Sequence, residues 1–541
     1  MTQLDVAIAR AEPQVPVSEP EPATNRRPAD WIALLVVVAA VFALAIWVLS
    51  PRFEIDTPSL VDDWASLSRS ADDVAQLLRL QNPESGRFAP SLAFWNYVQW
   101  HTFGAPDSLV GPNAWNLMRV FTLIAGLSLL TAVALPRPRG GVWNAILTAA
   151  LAGIPAFAVV TVPKFARDMA RFVPQEPFLV GALALGGALL VLAARPLLAP
   201  RPVAGRVVAL AILGTAVWVF GAYHKEASVC AVPLIAAVLF AGRGRLRDWR
   251  LLSRGRKAAL GMLGAAVALP LVHVMLAGLR IAARGDVIYG AEVEGGGDLW
   301  TGFVDLYDWA HEPLPENARL FMWSAIALTV LAALVKRRID VVALGALVSG
   351  VASLAFAGQS GVLATRYYIP AYALFAVAFA LSLARLPTPV QLAGVLGVLL
   401  AFTPVTETRA EVQRWTDEEL AGAAVVREAA ALETAGCTLA IAGVDPETTL
   451  ALPVVVRLED GSAERSCDGA PAYFLLGPDG ASTSLYSACA KGALETMVEG
   501  PLVLLHRCAR LREEPVRDPE LGLVSPERLV ALHRFDSSGP S

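Results

Sequence analysis

The chain has 541 residues, 55% of them hydrophobic and 17% charged, where a typical soluble domain carries about 25% charged residues. A mean hydropathy of +0.53 and repeated apolar runs near the ~20 residues that cross a hydrocarbon core exclude an ordinary soluble protein. The formal net charge of -4, with no basic stripe interleaved with aromatics, excludes a nucleic-acid binder.

Residues 1–30 are rich in Pro, Glu and Ala and lack an apolar face, which predicts a disordered cytoplasmic tail. They lack the short basic region directly before an apolar core that marks a secretory signal. Arg26 and Arg27 precede the first apolar run, Trp31 to Leu49, and set its N-terminus on the cytoplasmic side by the positive-inside rule. A polar loop over 50–113 is then expected on the outer side. Further spans are predicted at Trp115–Leu135, Trp143–Thr161, Phe178–Ala194, Val207–Tyr223, Ala227–Ala241, Ala258–Leu279, Leu320–Val335, Val341–Ala357, Ile369–Ala384 and Val390–Phe402, eleven in all.

The loops between them sort by charge. Arg243 to Lys257 holds seven Lys/Arg against the single Asp248, and Lys336-Arg-Arg338 follows the eighth span; both mark the cytoplasmic side. The loop over 280–319 holds eight acidic residues and three Arg, and belongs outside. An odd number of spans places the C-terminus outside. Cysteine usage agrees: Cys437, Cys467, Cys489 and Cys508 all fall in the polar C-terminal part, which suggests two disulfides in an oxidising compartment, with a zinc site as the weaker rival because no C-x-x-C pair occurs. Cys230 lies in an apolar run and reads as a buried free thiol.

Residues 405–541 read as a small extracytoplasmic α/β domain. Short strands are expected at Thr438–Val444, Ala472–Leu476 and Pro501–His506, and helices at Glu407–Ala435, Thr449–Arg457 and Ser487–Met497. The predicted fold is thus an α-helical polytopic bundle over 31–404 with this domain appended.

Charges near the membrane point to chemistry, because a charge deep in hydrocarbon costs about 2.5–3.5 kcal/mol or more and needs a partner or a cavity. Lys225 and Glu226 lie between the fifth and sixth spans, and Arg366 opens the tenth. A local ion pair or snorkelling to the interface accounts for the first two. The functional reading is that Lys225 and Arg366, with Arg87 from the first outer loop, neutralise a phosphate; Arg does so bidentately and Lys as a point charge. Asp62 and Asp63, in Pro58-Ser-Leu-Val-Asp-Asp-Trp64, either cap a helix starting near Trp64 or supply a general base. Glu54 and Asp56 are alternatives nearer the membrane exit. Asp168 and Glu176, in the loop Lys164 to Glu176, offer a second carboxylate or are charges of a solvated turn.

The order of these motifs resembles a known family. Val61-Asp-Asp-Trp64, Gly86-Arg-Phe-Ala-Pro-Ser-Leu-Ala-Phe-Trp95 and Thr102-Phe-Gly-Ala-Pro106 look like the first luminal loop of GT-C glycosyltransferases. That superfamily includes the protein O-mannosyltransferases and the lipid A aminoarabinose transferases. His224-Lys-Glu226 and Thr365-Arg-Tyr-Tyr-Ile-Pro370 are similar to the S-K-E and R-Y-x-x-P patterns of the tetratricopeptide-linked O-mannosyltransferases, with His224 in place of Ser; this brings Glu226, His224 and Tyr367 to the candidate site. No tetratricopeptide repeat follows. The resemblance covers residues 31–404. It implies an inverting glycosyltransferase of the inner (plasma) membrane that moves a sugar from a polyprenyl-phosphate donor to a protein or glycan hydroxyl outside. No cofactor is required; if a divalent metal is used, Asp62, Asp63 and Asp168 are its candidate oxygen ligands.

Rival classes are a lipid-linked glycan polymerase or ligase acting through the acidic loop, a transporter, and a non-catalytic envelope-assembly protein. A transporter would more often show paired broken helices in repeated halves, and none is found in the sequence.

Overall fold

The computed structural model describes residues 27–54, four positions between 91 and 98, and the segments 110–136, 141–171, 176–197, 205–240, 252–283, 315–359, 365–401 and 405–417, with six strands between 439 and 524. The helices are α1 (Pro28–Leu49), α2 (Val110–Ala134), α3 (Val142–Val160), α4 (Pro163–Ala170), α5 (Glu176–Leu197), α6 (Gly205–Ala222), α7 (Val232–Phe240), α8 (Arg254–Ala283), α9 (Glu316–Lys336), α10 (Val341–Gln359), α11 (Ile369–Leu383), α12 (Thr388–Ala401) and α13 (405–417). Short 3₁₀ turns at Ser50–Glu54, Glu226–Ala231 and Thr365–Tyr368 follow α1 and precede α7 and α11.

Each of the eleven predicted spans coincides with a helix. Among the described residues, ten helical stretches are long and apolar enough to cross a membrane, and Ala227–Val238 is a shorter apolar helix. The chain is an integral membrane protein. α5 and α11 are buried along most of their length and form the centre, while α8 and α12 turn most of their surface outward.

Contact between α2 and α5 is backbone to backbone. A Cβ on Gly181 would lie 2.5 Å from the Leu123 amide nitrogen, and one on Gly126 would lie 2.3 Å from the Gly181 carbonyl oxygen. Small residues let membrane helices approach in this way, because dispersion and not hydrophobic exclusion drives their packing.

Chain reversals alternate between the two ends of the bundle. At one end Arg195 donates to the Val133 carbonyl at 2.8 Å, and Arg385 pairs with Asp340. The 3₁₀ turns, α4 and the start of α5 gather at the other, which is the outer end in the sequence reading. α4 itself departs from expectation. The segment after the third span is not a solvated turn but a helix that buries Phe165, Ala166, Asp168, Met169 and Ala170. Pro163 suits its first turn, where a missing N–H costs nothing.

The C-terminal strands are β1 (Leu439–Ala442), β2 (Tyr473–Leu476), β3 (Glu495–Glu499), β4 (Leu502–His506), β5 (Val516–Asp518) and β6 (Gly522–Val524). The first four form one sheet in the order β1-β2-β4-β3, and β5 pairs with β6. β1 and β2 are parallel, as an α/β layer requires, and the expected strands at 438–444, 472–476 and 501–506 are present. The helix expected to reach Met497 is corrected at its end: Glu495–Glu499 is a strand antiparallel to β4, with Glu499 opposite Leu502. Gly500-Pro501 leaves a two-residue connection, which favours a hairpin over helix continuation. The four C-terminal cysteines, the helix at 449–457 and residues 418–435 lie outside the described residues, as do the tail 1–26 and residues 284–314.

Candidate active site

The site is built on the N-terminus of α5 and the turn after α6. Glu176 opens α5, followed by Pro177; an acidic residue suits that position because of the helix dipole. α6 ends at Ala222, and Lys225 is extended (φ -160°, ψ 150°) before the 3₁₀ turn. The Ser228 hydroxyl donates to the Ala222 carbonyl at 2.9 Å and closes the turn. Lys225 and Glu176 form a buried ion pair. The lysine therefore takes a carboxylate from α5; the Glu226 side chain, and with it the local pair read from the sequence, lies outside the described residues.

Lys225 also faces Tyr367, its Nζ 4.0 Å from the ring centroid, and the Arg366 guanidinium lies 5.5 Å from the same ring. A desolvated cation over an aromatic face gains about 2 kcal/mol. Two cations and one buried carboxylate thus meet around Tyr367.

Asp168 on α4 is the second buried carboxylate, 4% exposed. Its Oδ2 makes no hydrogen bond among the described residues. Burial raises its pKa from 3.8 to about 6, with Arg171 and Arg167 opposing and Glu176 adding to the rise. A carboxyl poised near neutrality is suited to take or give a proton.

α4 is anchored by its C-terminal carbonyls, the orphan acceptors of any helix end. Arg52 donates to the Ala170 carbonyl at 3.1 Å, Asn116 to that of Met169 at 2.9 Å, and Arg119 to that of Arg171 at 2.8 Å. Cations at a helix C-terminus are doubly favourable, as donors and against the dipole. Sequence reasoning missed all three residues. Arg119 was detectable, since it is a charge within a predicted span; Arg52 was not distinctive.

His224 is fully buried among Trp95, Phe178 and Phe220, with ring centroids 5.0 to 6.2 Å away. Burial, helped by Arg119 and Lys225, lowers its pKa to about 3. It is a neutral packing residue at physiological pH and supplies no charge for an anion. The connection between α1 and α2 reaches this turn: the Ser91 amide donates to the Tyr223 carbonyl at 3.2 Å. Asp62, Asp63, Asp56 and Arg87 of that connection lie outside the described residues. Glu54 is exposed beyond α1. Cys230 is a free thiol.

One turn inside the ion pair is an apolar cavity of about 40 Å³ lined by Leu179, Val180, Ala227, Leu234, Ser353 and Pro370 among others. No group of three His, Cys, Asp or Glu able to hold a metal ion occurs among the described residues. Of the candidate oxygen ligands, Asp168 is described and buried, and Asp62 and Asp63 lie outside the described residues.

Neither a family model nor a curated protein matches the sequence. Among solved structures, the chain is similar to ArnT from Cupriavidus metallidurans bound to undecaprenyl phosphate, at 13% identity and a TM-score of 0.46, over 88% of this chain and 98% of that one. It is also similar to the archaeal oligosaccharyltransferase AglB from Archaeoglobus fulgidus, in complex with an inhibitory peptide and a dolichol-phosphate, at 13% identity and a TM-score of 0.42, over 74% and 58% of the two chains.

Proposed function

We propose that the protein is an inverting membrane glycosyltransferase that uses a polyprenyl-phosphate sugar and acts on an acceptor hydroxyl. The observation that carries this reading is that, at one end of a membrane bundle, the helix bearing Asp168, a buried carboxylate whose Oδ2 has no hydrogen bond among the described residues, packs on the turn Thr365–Tyr368, where Lys225 and Arg366 lie against Tyr367. General-base and anion-binding groups are both needed to replace a phosphate leaving group by an oxygen nucleophile.

In this mechanism the acceptor O–H gives its proton to Asp168 as its oxygen bonds to the anomeric carbon. The bond from that carbon to the phosphate oxygen breaks, and the electron pair leaves with the phosphate. Lys225, released from Glu176, and Arg366 stabilise the developing charge, which is the largest single contribution such sites make. Apolar side chains below the ion pair face the first carbons of the lipid. Asp62 and Asp63 are the competing bases, and Arg87 the third cation. Lys336-Arg-Arg338, after α9, and Arg195 lie at the opposite end, which supports a cytoplasmic N-terminus, a site on the outer face of the plasma membrane and an extracytoplasmic C-terminal region.

The test is release of polyprenyl phosphate from a polyprenyl-phosphate sugar by purified protein. Turnover by the wild type and its loss in Asp168→Asn support the reading. Turnover retained in Asp168→Asn and lost in Asp62→Asn or Asp63→Asn moves the base to the first loop. A wild type without turnover on any such donor sinks the assignment.

A further inference from the structure

α13 begins the C-terminal region in sequence, yet one of its faces belongs to the bundle. Thr408, Glu411, Val412 and Trp415 recur at spacings of three and four, so they share that face. The Thr408 hydroxyl donates to the Thr161 carbonyl, between α3 and α4, at 2.7 Å. Arg409 donates to the Trp47 carbonyl near the end of α1 at 3.0 Å, with its guanidinium 4.9 Å from the Trp47 ring. Val412 and Trp415 are buried.

Two further contacts fall on arginines that flank Asp168. Glu411 faces Arg167 at 3.8 Å and also pairs with Arg414 on its own helix. The Arg171 guanidinium lies 5.7 Å from the Trp415 ring. Arg167 and Arg171 stand at positions −1 and +3 relative to Asp168, the first on the helix that carries it and the second capping its C-terminus. Both are the charges best placed to capture that carboxylate, and α13 engages both. α4 is therefore gripped twice, by Arg52, Asn116 and Arg119 through its carbonyls and by α13 through its side chains.

We propose that α13 is a positioning strap: through Glu411 and Trp415 it fixes α4 and holds Arg167 and Arg171 off Asp168, coupling the C-terminal region to the reaction. Glu411 and Trp415 are positioning residues, and the coupling to the reaction rests on the glycosyltransferase reading above.

The full-length protein in detergent tests this with two readouts, hydrogen exchange of the α4 amides and steady-state transfer from a polyprenyl-phosphate sugar. In Trp415→Ala the α4 amides exchange faster and kcat falls about tenfold or more, within the ~10²-fold that a misplacement of about 1 Å costs. KM for the donor stays within about twofold, the mark of a group that acts on the transition state and not on binding. Trp415→Phe, which keeps a ring for Arg171, restores both readouts. Should Trp415→Ala not fold, Glu411→Gln gives a smaller change in the same direction and Glu411→Asp recovers part of it. Unchanged α4 exchange in the folded variants overturns the strap, as does faster exchange with wild-type kcat. A wild type that shows no transfer removes the reaction, not the strap, whose exchange result then decides alone.

Discussion

Lys225 is joined to Glu176, a residue 49 positions earlier in the chain, and both are almost fully buried. Removing one partner of such a pair strands the other charge, at a cost of about 3–5 kcal/mol. Glu176→Gln is therefore expected to lower the thermal midpoint of the purified protein strongly. Glu176→Gln combined with Lys225→Met recovers most of that loss, because the stranded charge is gone. A single variant as stable as the wild type would show that the pair is solvated.

The cations around Tyr367 should report donor binding. Lys225→Gln and Arg366→Gln each remove a charge-assisted contact to phosphate, worth about 1.5–3 kcal/mol, so donor KM is expected to rise about tenfold or more. His224→Gln removes no charge, since burial keeps the imidazole neutral with a pKa of about 3. Its effect should appear in stability, through the contacts with Phe178 and Trp95, and not in donor affinity.

A pH profile follows from Asp168. With its pKa raised from 3.8 to about 6 by burial, the carboxyl is protonated below that pH and ionised above it. Only the ionised form accepts a proton, so transfer is expected to fall as pH drops through about 6. An acid limb centred near 4 instead would assign the step to a solvated carboxylate.

The close approach of α2 and α5 makes a prediction about packing alone. In Gly181→Ala the new methyl meets the Leu123 backbone at 2.5 Å, where no side-chain rotation relieves it. Overpacking of this kind costs about 1–3 kcal/mol. A lower thermal midpoint is expected, with activity reduced in proportion as Glu176 moves with its helix.

Much of the fold was legible because spanning a hydrocarbon layer is a local demand on sequence. A run such as Phe178–Ala194 announces its helix without knowledge of its neighbours, and the basic run Arg243–Lys257 sorts the loops. The partner of Lys225 was not legible, since it depends on α5 and α6 standing side by side. α4 was read as a loop because eight residues fall short of a span and its charges masked the apolar stripe of Phe165, Ala166, Met169 and Ala170. Arg119 carried a usable signal, a charge four residues into an apolar run, and it proves to hold the end of α4. The period of Thr408, Val412 and Trp415 was visible as helix, but not that its buried face meets α3 and α4.

Because α2 and α5 touch through their main chains, Arg119 and Glu176 ride on one stiff body. An anion that draws Lys225 away from Glu176 has no helix to displace. The exchange is a swing of the lysine's four-carbon arm and not one of the microsecond-to-millisecond helix and domain motions. On the proposed reading, binding at this site is then a change of rotamer inside a fixed frame.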